Sequence, residues 1–161
     1  MKELILVRHA KSSWKHNVID HERPLNGRGF SDANLVSKYL HKKGLEIDAI
    51  VSSDAIRAKT TAEIFISNLS IEKHKVVFNH ELYDFSGTKL TEVIRSSEPY
   101  IDKLMLFGHN HAITNFVNTY GDLYIDNVPT CGVVTIAFPL NDWGGLKPGK
   151  TIGTLFPKDL K

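Results

Sequence analysis

The sequence predicts an α/β fold, a three-layer sandwich with a mainly parallel central sheet and helices on both faces. Three observations point there. Short apolar runs of strand length alternate with longer segments of helical periodicity. The first run, "ELILV", is continuously apolar, the pattern of a strand covered on both sides. Polar clusters rich in Pro and Gly separate the segments, with no repeat, low-complexity tract or linker, so residues 1–161 are expected to form one domain.

The first strand, "ELILV", is followed by a polar loop from Lys11 to Asn26, punctuated by Pro24 and Gly27. A helix is expected from about Arg28 to Lys43, with Phe30, Ala33, Val36 and Leu40 as its apolar face and Gly44 at its end. "IDAIVSS" reads as the second strand. Ser53 or Asp54 can cap the next helix, about Ala55 to Asn68, with Ile56, Ala62, Phe65 and Leu69 facing inward. "KVVFN" is a short third strand, and a helix near Thr88 to Ser97 follows. "KLMLFGH" is the fourth strand, leading into a helix over His111 to Tyr120. "GVVTIAF" and "KTIGTLF" flank a turn at Gly144-Gly145 and read as a terminal hairpin.

Composition narrows the function. The formal net charge of +2 and the scattered Lys and Arg residues give no basic stripe, so nucleic acid is not an expected partner. The N-terminal apolar run is too short for a signal peptide or a membrane span, and no stretch reaches 18 apolar residues. Cys131 is the only cysteine, which excludes an intrachain disulfide and is expected to be a small buried residue. A cytoplasmic, soluble protein with no membrane partner is the expectation.

Ligands of open α/β sheets bind beyond the carboxyl ends of the strands. The first strand ends at Arg8-His9, the second leads to Arg57 at the start of a helix, and the fourth to Gly108-His109-Asn110. Taken singly, Arg8-His9 could be a pair satisfied by carbonyls, Arg57 a surface helix residue and His109 a core or capping histidine. Three strand ends converging on two arginines and two histidines are hard to attribute to packing. Arginine presents a planar fork matching phosphate oxygens. A neutral histidine can attack phosphorus. The others can stabilise charge on the equatorial oxygens. The cluster reads as a phosphoryl-transfer site with a histidine nucleophile.

"LVRHA", "SSDAIRAKTTA" and "LFGHN", in that order, resemble the histidine phosphatase superfamily over roughly residues 3 to 140. The short chain and "ERPLNGRG" look most like its SixA-type phosphohistidine phosphatases. The resemblance implies that His9 is the phosphorylated nucleophile, that Arg8, Arg57 and His109 bind the phosphoryl group, and that no metal or other cofactor is needed. Its usual proton donor falls on Glu81 in "NHELYD", with Asp84 as the rival. A protonated phosphohistidine can leave without a strong acid, and either carboxylate could equally be an ordinary loop residue. Two positions depart from the pattern: Ala10 replaces the usual glycine, and Lys15 stands where larger members carry an asparagine. Ser12 and Asn110 are further candidates for phosphate contact.

The chain has no room for the lids that larger members insert, so an open site accepting phosphohistidine on a protein is expected. The alternatives are a phosphatase of small phosphomonoesters and a non-catalytic phosphate-binding module. "GRGFSD" is not a dinucleotide loop, because it follows no strand and lacks the third glycine. His109 and His111 are poorly spaced for one metal. Arg23 is expected in a structural ion pair, and His16, His21, His41, His74 and His80 in solvent.

Overall fold

The computed structural model describes all residues, Met1–Lys161. Six strands, β1 (Lys2–Arg8), β2 (Ala49–Ser52), β3 (Val76–Phe78), β4 (Lys103–Gly108), β5 (Val133–Phe138) and β6 (Lys150–Leu155), form one sheet in the order β3-β2-β4-β1-β5-β6. The centre of β1 has no polar face. Leu4 and Leu6 enter one apolar layer, and Ile5 and Val7 enter the other. Alternate side chains of a strand point to opposite faces, so this run requires cover on both sides.

Four helices supply that cover. α1 (Gly27–Lys42) and α2 (Ile56–Leu69) bury Ala33, Val36, Ala62 and Phe65 with Ile5 and Val7. α3 (Thr88–Arg95) and α4 (Ala112–Tyr120) bury Leu90, Ile94, Ile113 and Phe116 with Leu4 and Leu6. The predicted three layers are present, and each helix begins and ends close to its expected limits.

The sheet itself is mixed rather than mainly parallel. β3, β2, β4 and β1 pair in parallel, but β5 runs antiparallel to β1 and β6 antiparallel to β5. The reason lies after α4. Instead of entering a strand from the far edge, the segment Gly121–Gly132 returns to the carboxyl rim. There the Cys131 N–H donates to the carbonyls of Arg8 and His9 at 2.9 and 3.0 Å. β5 therefore starts at the rim and runs away from it.

Two helix boundaries show local chemistry at work. Asn26 caps α1, its side-chain oxygen accepting the Gly29 N–H at 2.8 Å, and Gly44 follows the helix in the left-handed region at φ 77°. Neither Ser53 nor Asp54 caps α2, whose N-cap is Ala55. Both side chains are held by histidines: Ser53 by His109, Asp54 by His21 and His80. Two expected core residues stay outside, Phe30 and Ile56 at the first turns of α1 and α2, beyond the edge of the apolar layer. Phe65 of α2 meets Phe107 of β4 edge-on at 5.1 Å, a contact of about 0.5–1.5 kcal/mol beyond burial. This ties the helix that carries Arg57 to the strand that leads to His109.

Gly29 is where α1 presses on the loop after β1: an added Cβ would stand 2.1 Å from the Lys11 carbonyl oxygen, whereas Gly27 has open space. Gly29→Ala is expected to destabilise the fold by about 1–3 kcal/mol through overpacking. Gly27→Ala is expected to be neutral or stabilising, and thermal unfolding of the pair checks the difference.

Candidate active site

Parallel register brings the strand ends together. Arg8 of β1 lies opposite Gly108 of β4, and the His9 N–H donates to the Gly108 carbonyl at 3.1 Å. Ser52 of β2 lies opposite Phe107, and the Ser53 N–H donates to the Phe107 carbonyl at 3.0 Å. His9, Ser53 and His109 thus leave three adjacent parallel strands at one level. Arg8, His9, Arg57, His109, Ser12 and Asn110 all line one pocket of about 270 Å³. Roomier grooves of about 460 and 540 Å³ lie on the β2–β3 side and beside the end of α2, but neither gathers these arginines.

His9 is held in one tautomer. Its Nδ1–H donates to the Ala10 carbonyl at 2.7 Å, which leaves Nε2 as a bare lone pair. The Arg57 Nε–H reaches that lone pair at 3.3 Å. Ala10 is fully buried, so a small residue suffices where glycine is usual. The Ala10 N–H donates to Thr61 Oγ1 at 3.0 Å, and the Thr61 hydroxyl donates to the Arg57 carbonyl at 2.7 Å. Thr61 therefore fixes the first turn of α2 against the backbone of the nucleophile.

His109 packs 5.2 Å from His9, ring centre to ring centre, and its Nε2 meets Ser53 Oγ at 2.8 Å. Ser53 Oγ already accepts the Ala55 N–H at 3.2 Å. Its hydroxyl also has a proton to give to Nε2, and in that arrangement the ring proton of His109 sits on Nδ1. That Nδ1 and the Nε of Arg8 are buried without a partner in the protein. Buried donors left unpaired are costly, and two of them in one pocket are the complement of an anion's oxygens.

Both imidazoles are held neutral. Burial, with the guanidinium groups of Arg57, Arg8 and Arg23, pushes His9 down to about 3 despite the Ala10 hydrogen bond. Burial, with His9 and Arg57, pushes His109 down to about 2. A neutral nucleophile in a cationic frame is suited to attack on an anionic phosphoryl group.

Asp20 was not singled out in the sequence, yet it is the one carboxylate lining the pocket. Its backbone carbonyl accepts from Arg57 at 2.7 Å and its Oδ2 accepts from Arg57 at 2.9 Å. Arg23 Nε reaches Oδ1 at 3.1 Å, and the Tyr83 hydroxyl donates to Oδ2. Burial pushes the Asp20 carboxyl up, but these hydrogen bonds outweigh it and hold the group well below the usual carboxylate range. Arg23 forms the expected ion pair, donates to Ser12 Oγ at 2.7 Å and lies 3.6 Å from the Trp14 ring. The spacing of Asp20 and Arg23 within "DHER" was the available signal, but only a folded loop shows that both face Arg57.

The other expected groups separate. Asn110 lines the pocket, but its side chain is engaged by Asn127 and by Thr114 at the start of α4. Glu81 lies exposed on the 3₁₀ turn His80–Leu82, outside the pocket lining. Asp84 accepts the backbone N–H groups of Gly87, Lys89 and Leu90 and so secures the start of α3. His21, expected in solvent, is half-buried against Asp54. Cys131 is buried, its thiol pushed up to about 12 by burial and Asp32.

Neutral buried histidines couple the site to folding. The unfolded chain takes up these protons near pH 6.5, and the folded chain does not until about pH 3 or below. Protons therefore favour the unfolded state, so stability falls as pH drops from 6.5 toward 3. His9→Asn is expected to flatten that fall relative to wild type, read from urea unfolding across this range.

Comparison with known proteins gives a consistent result. The family model for the histidine phosphatase superfamily (branch 1) matches residues 4–124. An uncharacterized chloroplastic protein of Arabidopsis thaliana is 29% identical over 151 residues, covering 88% of this chain and 69% of that one. The SixA structure from Agrobacterium tumefaciens superposes with a TM-score of 0.79 at 23% identity, covering 97% of this chain and 98% of that one. The protein histidine phosphatase SixA complexed with tungstate superposes with a TM-score of 0.79 at 17% identity, covering 99% of each chain. The match of the family model over most of the chain, on the fold described above, means that this chain belongs to the histidine phosphatase superfamily.

Proposed function

We propose that the chain is a phosphatase that dephosphorylates phosphohistidine on a protein through a phosphohistidine intermediate on His9. The observation that carries this reading is the bare Nε2 of His9, faced by Arg57 and surrounded by the unpaired donors of Arg8 and His109. Tungstate, the ligand of the SixA structure of the same fold, is a tetrahedral oxyanion like phosphate, which supports the same use of the pocket.

In the first step the Nε2 lone pair of His9 forms a bond to phosphorus as the bond to the leaving nitrogen breaks. The substrate imidazole carries its own proton and departs neutral. His9, now phosphorylated on Nε2 and protonated on Nδ1, gains positive charge that the Ala10 carbonyl accepts at Nδ1–H. Arg8, Arg57 and His109 hold the three equatorial oxygens. Arg57 reaches them as phosphate competes with Asp20 for its N–H groups. Water then attacks phosphorus, the P–N bond breaks, and His9 returns as a neutral imidazole with inorganic phosphate released. Guanidinium charge neutralises the phosphoryl oxygens, so no step requires a metal, and no proton donor is required from Glu81 or Asp84.

The protein substrate is supported by the pocket's surroundings. Trp14 is 77% exposed and Phe85 46% exposed at its lining, and Ile19 is exposed beside Asp20. An open mouth edged with exposed aromatic groups suits a phosphate carried on a folded surface. The runner-up, a phosphatase of small phosphomonoesters, shares the pocket but does not call on the exposed faces of those aromatics.

Comparison of kcat/KM on a phosphohistidine protein and on an aryl phosphate tests this reading. The protein is expected to win by orders of magnitude, and a saturable preference for a small phosphomonoester would contradict it. Turnover is expected to persist in a chelator. Arg57→Ala and His109→Ala are expected to lose about 10²–10³-fold in kcat. Glu81→Gln is expected to change turnover little; a loss of about 10²-fold or more would restore Glu81 as the proton donor.

A further inference from the structure

We propose that His21, Asp54 and His80 bind one divalent transition-metal ion, zinc in kind, as a clasp beside the catalytic pocket and outside its chemistry. The three residues come from separate segments: the 3₁₀ turn Asp20–Glu22, the β2–α2 connection and the 3₁₀ turn His80–Leu82. His21 Nε2 lies 2.8 Å from Asp54 Oδ1, and His80 Nδ1 lies 3.0 Å from both Asp54 oxygens. One donor atom from each lies within 4.8 Å of the other two. Tetrahedral zinc with bonds of about 2.0–2.2 Å holds its donor atoms roughly 3.3–3.5 Å apart. The observed group needs only small side-chain adjustments to close on an ion.

The chemistry of the donors selects the ion. Two imidazoles and one carboxylate suit zinc, nickel or copper, whereas magnesium and calcium prefer all-oxygen sites. The exposed His80 ring leaves an entry path and room for a water in the fourth position. None of the three side chains supports a backbone group, so their convergence is not explained by holding the loops' own hydrogen bonds.

The position gives the ion an effect. His21 adjoins Asp20, the carboxylate on Arg57, and Asp54 adjoins Ser53, the partner of His109. Tyr83 stands edge-on to both His21, at 4.9 Å, and His109, at 5.4 Å. A bound ion would pin these three segments together along one wall of the pocket. This inference does not depend on the phosphatase reading.

The test is zinc titration of the metal-free full chain by calorimetry, with cobalt absorption as a report of geometry. One ion per chain is expected, with an intense four-coordinate cobalt band and a thermal midpoint that rises with zinc concentration. His21→Ala and His80→Ala are each expected to weaken binding by at least about tenfold and to lose the midpoint shift. His74→Ala, which removes the exposed ring beside Glu72, is the control and is expected to bind as wild type. No saturable site, or unaltered binding in folded His21→Ala and His80→Ala proteins, would overturn the proposal. Phosphatase turnover, measured without metal, reports separately on His9.

Discussion

The parallel pairing of β1 with β4 sets Arg8 opposite Gly108, and the groups of the pocket are placed relative to that register. A slip of one residue would turn Leu4, Leu6, Ile5 and Val7 to the wrong layers, so the apolar core enforces the register. The same pairing puts the His9 and His109 rings side by side. β2 joins on the other edge of β4 and contributes Ser53, while the return of Gly121–Gly132 closes the rim from the β5 side. Burial of aliphatic side chains in the two layers thereby positions the polar site at the rim.

That site is electrostatically incomplete when empty. Arg57 is almost fully buried and its guanidinium lies against a neutral imidazole. An uncompensated buried cation is costly, and Asp20 answers it with a backbone carbonyl and a carboxylate oxygen. Arg8 is less fully answered: Val128 accepts from one nitrogen at 2.9 Å, while Nε has no partner. A phosphoryl group brings the acceptor oxygens that Arg8 and His109 lack. Desolvation that keeps both histidines neutral also strengthens the attraction between the guanidinium groups and an arriving anion.

Much of this was legible in the sequence because strand ends are marked by abrupt changes of chemistry. "LILV" stopping at Arg8-His9, and "LMLF" stopping at Gly108-His109, locate both histidines without any structure. Strand direction was marked only at the β5–β6 hairpin, by the turn at Gly144-Gly145; the direction of β5 against β1 was not. β5 reads like the other strands, and its reversal depends on the path of Gly121–Gly132, which has no periodicity to read. Asp20 was hidden for a related reason. It lies in an aperiodic loop, and only the fold of that loop, fixed by Arg23 on Ser12 and by Gly29 against Lys11, turns it toward Arg57. Phe30 and Ile56 fit the helical period but lie outside the apolar layer, because periodicity gives a face and not how far the layer extends.

The central claim is that His9 carries the phosphoryl group in the reaction. The most direct measurement is rapid quenching of the protein mixed with a radiolabelled phosphohistidine protein, compared with His9→Ala. The account predicts a label on the wild type alone, labile in acid and stable in alkali as a phosphoramidate is. A label that persists in His9→Ala, or phosphate release by that variant at the wild-type rate, would contradict it.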